Sequence, residues 1–141
     1  MFLERAAGLD RVPHMRIDVV PVDEEMSEEV RLFFTKSLLE DDAEWASHRK
    51  VIDTVAKGGI IKKVIPWNME YLHVDFNGRG GFAHVIEDER RYGPHLHLEV
   101  LSSALGIEDV NFSIPLGKHE QEEEGRRMRK QFKPFDWSRH K

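Results

Sequence analysis

The chain has 141 residues, the size of one domain, and 40% hydrophobic residues, enough to build a core. It has no cysteine, which excludes a disulfide framework, a thiolate zinc site and a cysteine nucleophile. A formal net charge of −5 excludes nucleic-acid binding through the whole surface, and no apolar run approaches the ~20 residues of a membrane span. Met1-Phe2-Leu3-Glu4-Arg5 lacks the hydrophobic region of a signal peptide, so the plain expectation is a soluble intracellular protein. Charge is unevenly placed. Acidic runs occupy Asp23 to Glu29, Glu40 to Glu44 and Glu120 to Glu124. Basic residues gather at Lys57, Lys62 and Lys63, at Arg90-Arg91, and from Arg126 to Lys133.

Phe2 to Arg11 carries little signal and is expected to be partly mobile. His14 to Val22 alternates Met15, Ile17 and Val19 with His14, Arg16 and Asp18, and reads as a strand ended by Pro21. Ser27 to Glu40 reads as a helix. Val30, Phe33, Phe34 and Leu38 fall on one face, and Ser27 is a natural cap ahead of Glu28 and Glu29. A second helix is expected at about Asp42 to Lys57, with Asp41 and Glu44 as a capping box. Its apolar stripe is Trp45, Ile52 and Val55, and Gly58-Gly59 ends it. At helical spacing Trp45 reads as core before it reads as a base-stacking platform. Ile60 to Ile65 reads as a short strand stopped before Pro66.

The centre of the chain is a hairpin. Tyr71 to Phe76 alternates Leu72, Val74 and Phe76 against Tyr71, His73 and Asp75. Asn77-Gly78 is a tight-turn signal because both residues tolerate positive φ, and Phe82 to Ile86 is the return strand. A five-residue loop sets Phe82, His84 and Ile86 across from Phe76, Val74 and Leu72. A tighter turn shifts the register by one and swaps the faces, so the face of His84 stays open. Gly93-Pro94 opens a third helix with Leu98, Leu101 and Leu105 inward and Gly106 as its C-terminal cap. Glu108 to Gly117 is a loop. A fourth helix covers about Lys118 to Phe132, and Pro134 prevents its extension. Its apolar face is thin, Met128 and Phe132 with Phe135 and Trp137 just beyond, which suggests docking onto the body or onto a partner. The class is α+β, a small antiparallel sheet with a central hairpin packed by about four helices.

Three separated motifs carry a family resemblance. Gly81-Phe82-Ala83-His84-Val85-Ile86-Glu87-Asp88 resembles the signature of the CwfJ-like splicing-associated proteins, in the second of the two domains that end them. Asp42 to Ile52 is similar to the family's acidic-Trp-then-basic pattern, and Phe132-Lys133-Pro134-Phe135-Asp136-Trp137 to its closing motif. The resemblance covers about His14 to Trp137. It implies that residues 1–22 end a histidine-triad-like domain, whose last strand is His14 to Val22. Residues 23–141 form the second C-terminal module, and the rest of the first domain is missing. It also implies the nucleus, the spliceosome at the intron-lariat stage, and as partners spliceosomal proteins, RNA and the lariat debranching enzyme.

The residues offer four chemical constellations. Histidine-triad enzymes place alternating histidines on one strand face. Here only His14 matches, Arg16 stands in the nucleophile slot and Asp18 replaces the third histidine. A protonated guanidinium has no lone pair with which to attack phosphorus, although it can bind a phosphate. His84, His95 and His97, with Glu87 and Asp88 nearby, suggest a metal. But His95 and His97, two apart on a helix, stand ~200° apart. Glu87, Asp88 and Glu89 beside Arg90 and Arg91 read as structural ion-pair partners before they read as an acid/base pair. Asn77 to Gly81 with Arg79 is a glycine-rich tip that can approach a phosphate backbone.

The reading is a non-catalytic RNA- and protein-interaction module without cofactor or metal. Arg79, Arg90, Arg91, Lys62, Lys63 and Arg16 are its RNA-binding residues, and Phe132, Phe135 and Trp137 its partner-binding ones. The alternatives are a phosphodiesterase or nucleotide hydrolase using His14, His84 or a bound metal, and a protein-only scaffold, which the negative net charge favours.

Overall fold

The hairpin lies inside a five-stranded antiparallel sheet. The strands are β1 (Phe2–Ala6), β2 (Arg16–Val19), β3 (Ile52–Asp53), β4 (Tyr71–Asp75) and β5 (Gly81–Val85), in the order β2-β1-β4-β5-β3. This is a computed structural model that describes residues 1–9, 11, 14–40, 47–107 and 110–139. It divides into two units, Met1–Val110 and Asn111–Lys141. The first holds the sheet with helices α1 (Ser27–Glu40), α2 (Glu89–Tyr92) and α3 (Leu96–Ala104). The second holds α4 (Lys118–Phe132) and the 3-10 turns Lys133–Phe135 and Trp137–Arg139.

The α+β class stands, and β4, α1 and α4 fall close to where the sequence places them. Phe2 to Arg11 is corrected. Its first residues form β1, the second strand of the sheet, with Leu3 fully buried opposite Val74 and Asp18. A five-residue strand with Glu4 and Arg5 side by side shows no alternation on its own. Its partners on both sides supply the order that its composition does not advertise.

The hairpin register differs from both sequence alternatives. Phe82 pairs with Val74 and His84 with Leu72, and the loop is Phe76 to Gly80. The loop has five residues but starts one residue earlier than expected, which slides the pairing by two and keeps the same faces. Asn77 and Gly78 take φ of 60° and 73°, Arg79 N–H bonds Phe76 C=O at 3.3 Å, and Gly80 at φ 88° completes the turn. That is a tight Asn-Gly turn followed by a glycine bulge.

One face of the sheet carries Leu3, Leu72, Val74 and Phe82. Against it pack Val30, Phe34 and Leu38 of α1 and Leu101 and Ala104 of α3, with Phe34 and Phe82 rings 5.7 Å apart. Phe33, expected in this stripe, is 40% exposed. Ser27 does not cap α1, because a 3-10 turn at Glu24–Met26 precedes the helix and the Ser27 hydroxyl donates back to Asp23 C=O at 3.4 Å. α3 starts after Pro94, at Leu96, with His95 as its N-cap. The other sheet face holds Ala83 and Val85, covered by Ile65 with Ile52, Ile61, Val64 and Met69.

Two expected elements do not form. In place of the second helix over its described part, Ile52–Asp53 is the edge strand β3, paired with Ala83 and Phe82, and Val55–Lys57 is a 3-10 turn. Trp45 and the Asp41–Glu44 box lie outside the described residues. The apolar stripe was sparse, and sheet pairing outweighed it. Ile60 to Ile65 is no strand either, since Ile61–Lys63 is a 3-10 turn. β2 is real but inverted relative to its pattern. Met15, Ile17 and Val19 face solvent, and Asp18 turns toward α3.

Gly81 marks how tightly β5 is seated. A Cβ there would stand 2.3 Å from Val74 C=O and 2.8 Å from the Phe76 ring. Gly81→Ala is expected to lower unfolding free energy by about 2–3 kcal/mol, the usual cost of overpacking a filled site. Urea denaturation against the parent measures it, and an unchanged midpoint would contradict this packing.

Candidate nucleic-acid and partner interface

The site is built on the hairpin and on one segment that runs beside it. At the tip, the backbones of Gly59 and Gly80 touch so closely that a Cβ on Gly80 would sit 3.1 Å from Gly59 Cα. Thr54 locks this junction. Its N–H bonds Gly81 C=O at 3.1 Å, its C=O accepts Gly59 N–H at 2.9 Å, and its hydroxyl accepts Gly81 N–H at 2.8 Å. From Gly59 the chain passes through the Ile61–Lys63 turn, tucks Ile65 beneath Ala83 and Val85, and reaches the base of the hairpin, where Ile86 N–H bonds Glu70 C=O at 2.8 Å.

The segment 59–69 therefore spans the hairpin from tip to base. Its course places the predicted cations. Arg79 is exposed at the tip and Lys62 and Lys63 are exposed along the segment. Arg90 and Arg91 belong to α2, just past the end of β5 at the base. They do not converge on one point. Lys62 borders the groove that holds Glu4, His73 and Asp75 on one sheet face, whereas Arg79 borders a groove with residues of α1, which packs on the other. Arg16 is apart from them on β2, where its Nε donates to Asp18 at 2.9 Å. This is the exposed Arg-Asp pair of an ordinary strand edge. Arg79 shares a groove of about 320 Å³ with Glu24, Glu28 and Arg31, so its field is partly offset. Arg31 covers the Phe76 ring at 4.8 Å.

Sequence reasoning passed over Trp67. It follows Pro66, precedes Asn68 at φ 66°, and is 96% exposed near the base of the hairpin. The signal was there, since a Trp between Pro and Asn at a turn has no helical or strand partner to bury it.

Several other polar groups are committed to the fold. Thr54, His73 and Glu4 stand in the order of a hydrolytic triad, with Thr54 Oγ1 3.2 Å from His73 Nε2 and His73 Nδ1 3.9 Å from Glu4. Thr54 is 0% exposed and its hydroxyl already receives Gly81 N–H, so no substrate reaches it as a nucleophile. The adjacent His73 ring, helped by the Tyr71 hydroxyl that donates to Glu4, holds the Glu4 carboxyl below its usual range against the opposing effect of burial. Burial, with the hydrogen bond to Glu4 second, raises the Tyr71 phenol well above its ordinary value. Glu4, Tyr71, His73 and Asp75 floor a groove of about 550 Å³ walled by Phe2, Met15, Ile17 and Ile60.

The histidines singled out for metal point to separate partners. His84 Nδ1–H donates to Lys50 C=O at 2.7 Å and its ring stacks on Tyr92, with centroids 5.7 Å apart. His97 Nε2–H donates to Asp18 at 3.2 Å. Among the described residues no three histidine and carboxylate groups gather as a metal would require. The His48 ring, 2.7 Å from Glu87, lowers the Glu87 pKa most, and the N–H groups of Ser47 and His48 that the carboxylate accepts add to it. Asp88 caps Arg90 N–H at 2.9 Å. Glu87 and Asp88 are thus structural, with backbone amides and a histidine as the partners seen among the described residues.

In the second unit, Glu120 accepts Gly117 N–H at 2.7 Å and starts α4. The predicted partner residues Phe132, Phe135 and Trp137 are 55, 74 and 81% exposed.

The fold is a small α+β sheet module, and comparison with known proteins gives its family. Residues 44–138 match the family described as "Protein similar to CwfJ C-terminus 2". The chain belongs to that CwfJ C-terminal family. It is similar to CWF19-like protein 2 of Mus musculus, 33% identical over 145 positions, with all of this chain and 16% of the relative aligned. The Danio rerio protein of the same name is 32% identical over 138 residues, 96% of this chain and 14% of the relative. Pre-mRNA-splicing factor cwf19 of Schizosaccharomyces pombe is 31% identical over 149 positions, 99% of this chain and 23% of the relative. The chain thus spans between a seventh and a quarter of these relatives' lengths.

His97 gives this region a pH signature. It is 0% exposed, and burial pulls its pKa below 6.5 against the hydrogen bond it donates to Asp18; Arg16 and Arg5 add to the lowering. The folded state therefore binds this proton less readily than the unfolded state. Its stabilisation is complete above pH 6.5 and fades as pH falls from 6.5 through the lower folded value. Urea unfolding is expected to show stability dropping over that acid limb, and His97→Gln, which keeps a donor for Asp18 but cannot titrate, should flatten it. Parallel profiles for the two proteins would contradict the assignment.

Proposed function

We propose that the chain is a non-catalytic RNA- and protein-binding module of a pre-mRNA splicing factor. It works in the nucleus at the intron-lariat stage, among spliceosomal proteins and RNA and in exchange with the lariat debranching enzyme. The observation that carries this reading is alignment over nearly the whole chain to a protein named as a pre-mRNA-splicing factor. The layout of the hairpin supports the RNA part. Arg79 at the tip, Lys62 and Lys63 on the segment beside it, and Arg90 and Arg91 in α2 past β5 offer cations to a phosphate backbone at three places, and Trp67 offers a face for a base. Local placement lets RNA bind a chain whose net charge is −5. The same charge keeps affinity modest and strongly salt-dependent. Arg16, tied to Asp18, contributes least.

Binding of lariat and linear RNA across a salt series tests this. Lys62→Ala with Lys63→Ala and Arg79→Ala, and separately Arg90→Ala with Arg91→Ala, should each weaken binding to all sequences alike. Every phosphate left without its cation should lower the salt slope by about 0.7. Trp67→Ala should cost affinity without changing the slope, because stacking releases no counterions. Unchanged affinity and slope in both basic variants, with the fold intact, would leave the protein-only scaffold as the better account.

The aromatic end of the second unit is proposed as the protein-partner site. Trp137 is exposed, so Trp137→Ala should unfold within about 0.5 kcal/mol of the parent and lose capture of spliceosomal proteins from nuclear extract. A stability loss of several kcal/mol would assign it to a core instead.

A further inference from the structure

The outer edge of the sheet leaves backbone groups unpaired in a particular order. Among the described residues β2 pairs on one side only, with β1. At the start of that ladder Met1 and Val20 exchange two backbone bonds, each of 3.0 Å. Opposed pairs in an antiparallel ladder alternate between bonded and non-bonded. Asp18 and Arg16 therefore aim their N–H and C=O groups inward, at Leu3 and Arg5, while Ile17 and Val19 aim theirs outward from the sheet. The side chains are sorted as well. Met15, Ile17 and Val19 are 55, 49 and 66% exposed on one face, and Arg16 and Asp18 occupy the other.

We propose that this edge pairs with the same edge of a second copy of the chain, antiparallel and centred on Ile17. In that register Ile17 opposes Ile17, Met15 opposes Val19, and Arg16 opposes Asp18 on both sides of the two-fold axis. The residues brought into bonded pairs are those whose N–H and C=O groups point outward. Each Arg16 meets a carboxylate, a favourable cross-strand pair. The apolar side chains of the two copies join into one strip that continues onto Phe2, itself 42% exposed. Neighbouring registers fail. A slip of one residue sets outward backbone groups against inward ones. A slip of two sets Arg16 against Arg16 or Asp18 against Asp18, like charges directly opposed. The edge lacks the outward lysine or mid-strand proline that blunts a solitary edge, and Pro21 only ends it. The contact is short, and two chains of net charge −5 repel, so association is weak and strengthens with added salt. RNA binding has the opposite salt response, so the outcome here does not depend on the proposed function.

Sedimentation equilibrium over a wide concentration series, at low and high salt, tests the pairing. The mass of the parent should rise from one chain toward two, further at high salt. Arg16→Asp sets two carboxylates opposite each other on both sides of the axis, and should weaken self-association about tenfold or more. Ile17→Lys should do the same by charging the centre of the strip. Both positions are exposed, and unchanged amide protection in β4 and β5 certifies their fold. Amide exchange of the parent should show Ile17 and Val19 protected only at concentrations where dimers form. A parent that stays monomeric, or an Arg16→Asp chain that associates as tightly, would overturn the proposal. Protection of Ile17 and Val19 in the monomer would overturn it too, by showing that another part of the chain covers the edge.

Discussion

The structure depends on the junction where Thr54 meets the hairpin tip. One buried residue binds Gly81 through its N–H and its hydroxyl, holds Gly59 through its carbonyl and contacts His73 through the same hydroxyl. These bonds are made where water is excluded, so each missing partner would leave a desolvated group at a cost of about 1–3 kcal/mol. Glycine at both 59 and 80, each at positive φ, lets two backbones meet where a Cβ would be crowded to 3.1–3.2 Å. The junction fixes where the segment 59–69 begins, the Glu70–Ile86 bond fixes where it ends, and Ile65 under Ala83 and Val85 holds the middle. Lys62, Lys63 and Trp67 have their positions along the hairpin for that reason.

Much of this was legible in the sequence, in proportion to how local the cause was. Asn77-Gly78 declared its turn because positive φ is a property of those residues, and α4 declared its end through Pro134. Non-local causes stayed hidden. β1 reads as a featureless stretch until β2 and β4 flank it. Ile52 looks helical until Ala83 offers it a ladder partner. The apolar alternation of β2 announced a strand but misled about its face, because Asp18 finds the buried His97 and the apolar residues are left outside. At the site, the cations were visible but their arrangement was not. That arrangement follows from the course of the segment 59–69, whose own residues gave a strand signal it does not obey.

Chemistry follows the same division. Thr54, His73 and Glu4 would attract attention in any search for a triad, and the histidines of β5 and α3 in any search for a metal. In each case the hydrogen-bond partners are already supplied by the fold, by Gly81 N–H, Lys50 C=O or Asp18. Among the exposed groups are Trp67, Lys62, Lys63 and Arg79 along the hairpin, and Phe132, Phe135 and Trp137 at the end of α4.

Photo-crosslinking of the protein in its native assembly, with the attachment points mapped by mass spectrometry, tests the central claim most directly. The account predicts RNA adducts within the hairpin tip and the segment 59–69, Trp67 foremost, and peptide adducts around Trp137. RNA adducts confined to α4, or a hairpin that crosslinks only to protein, would contradict it.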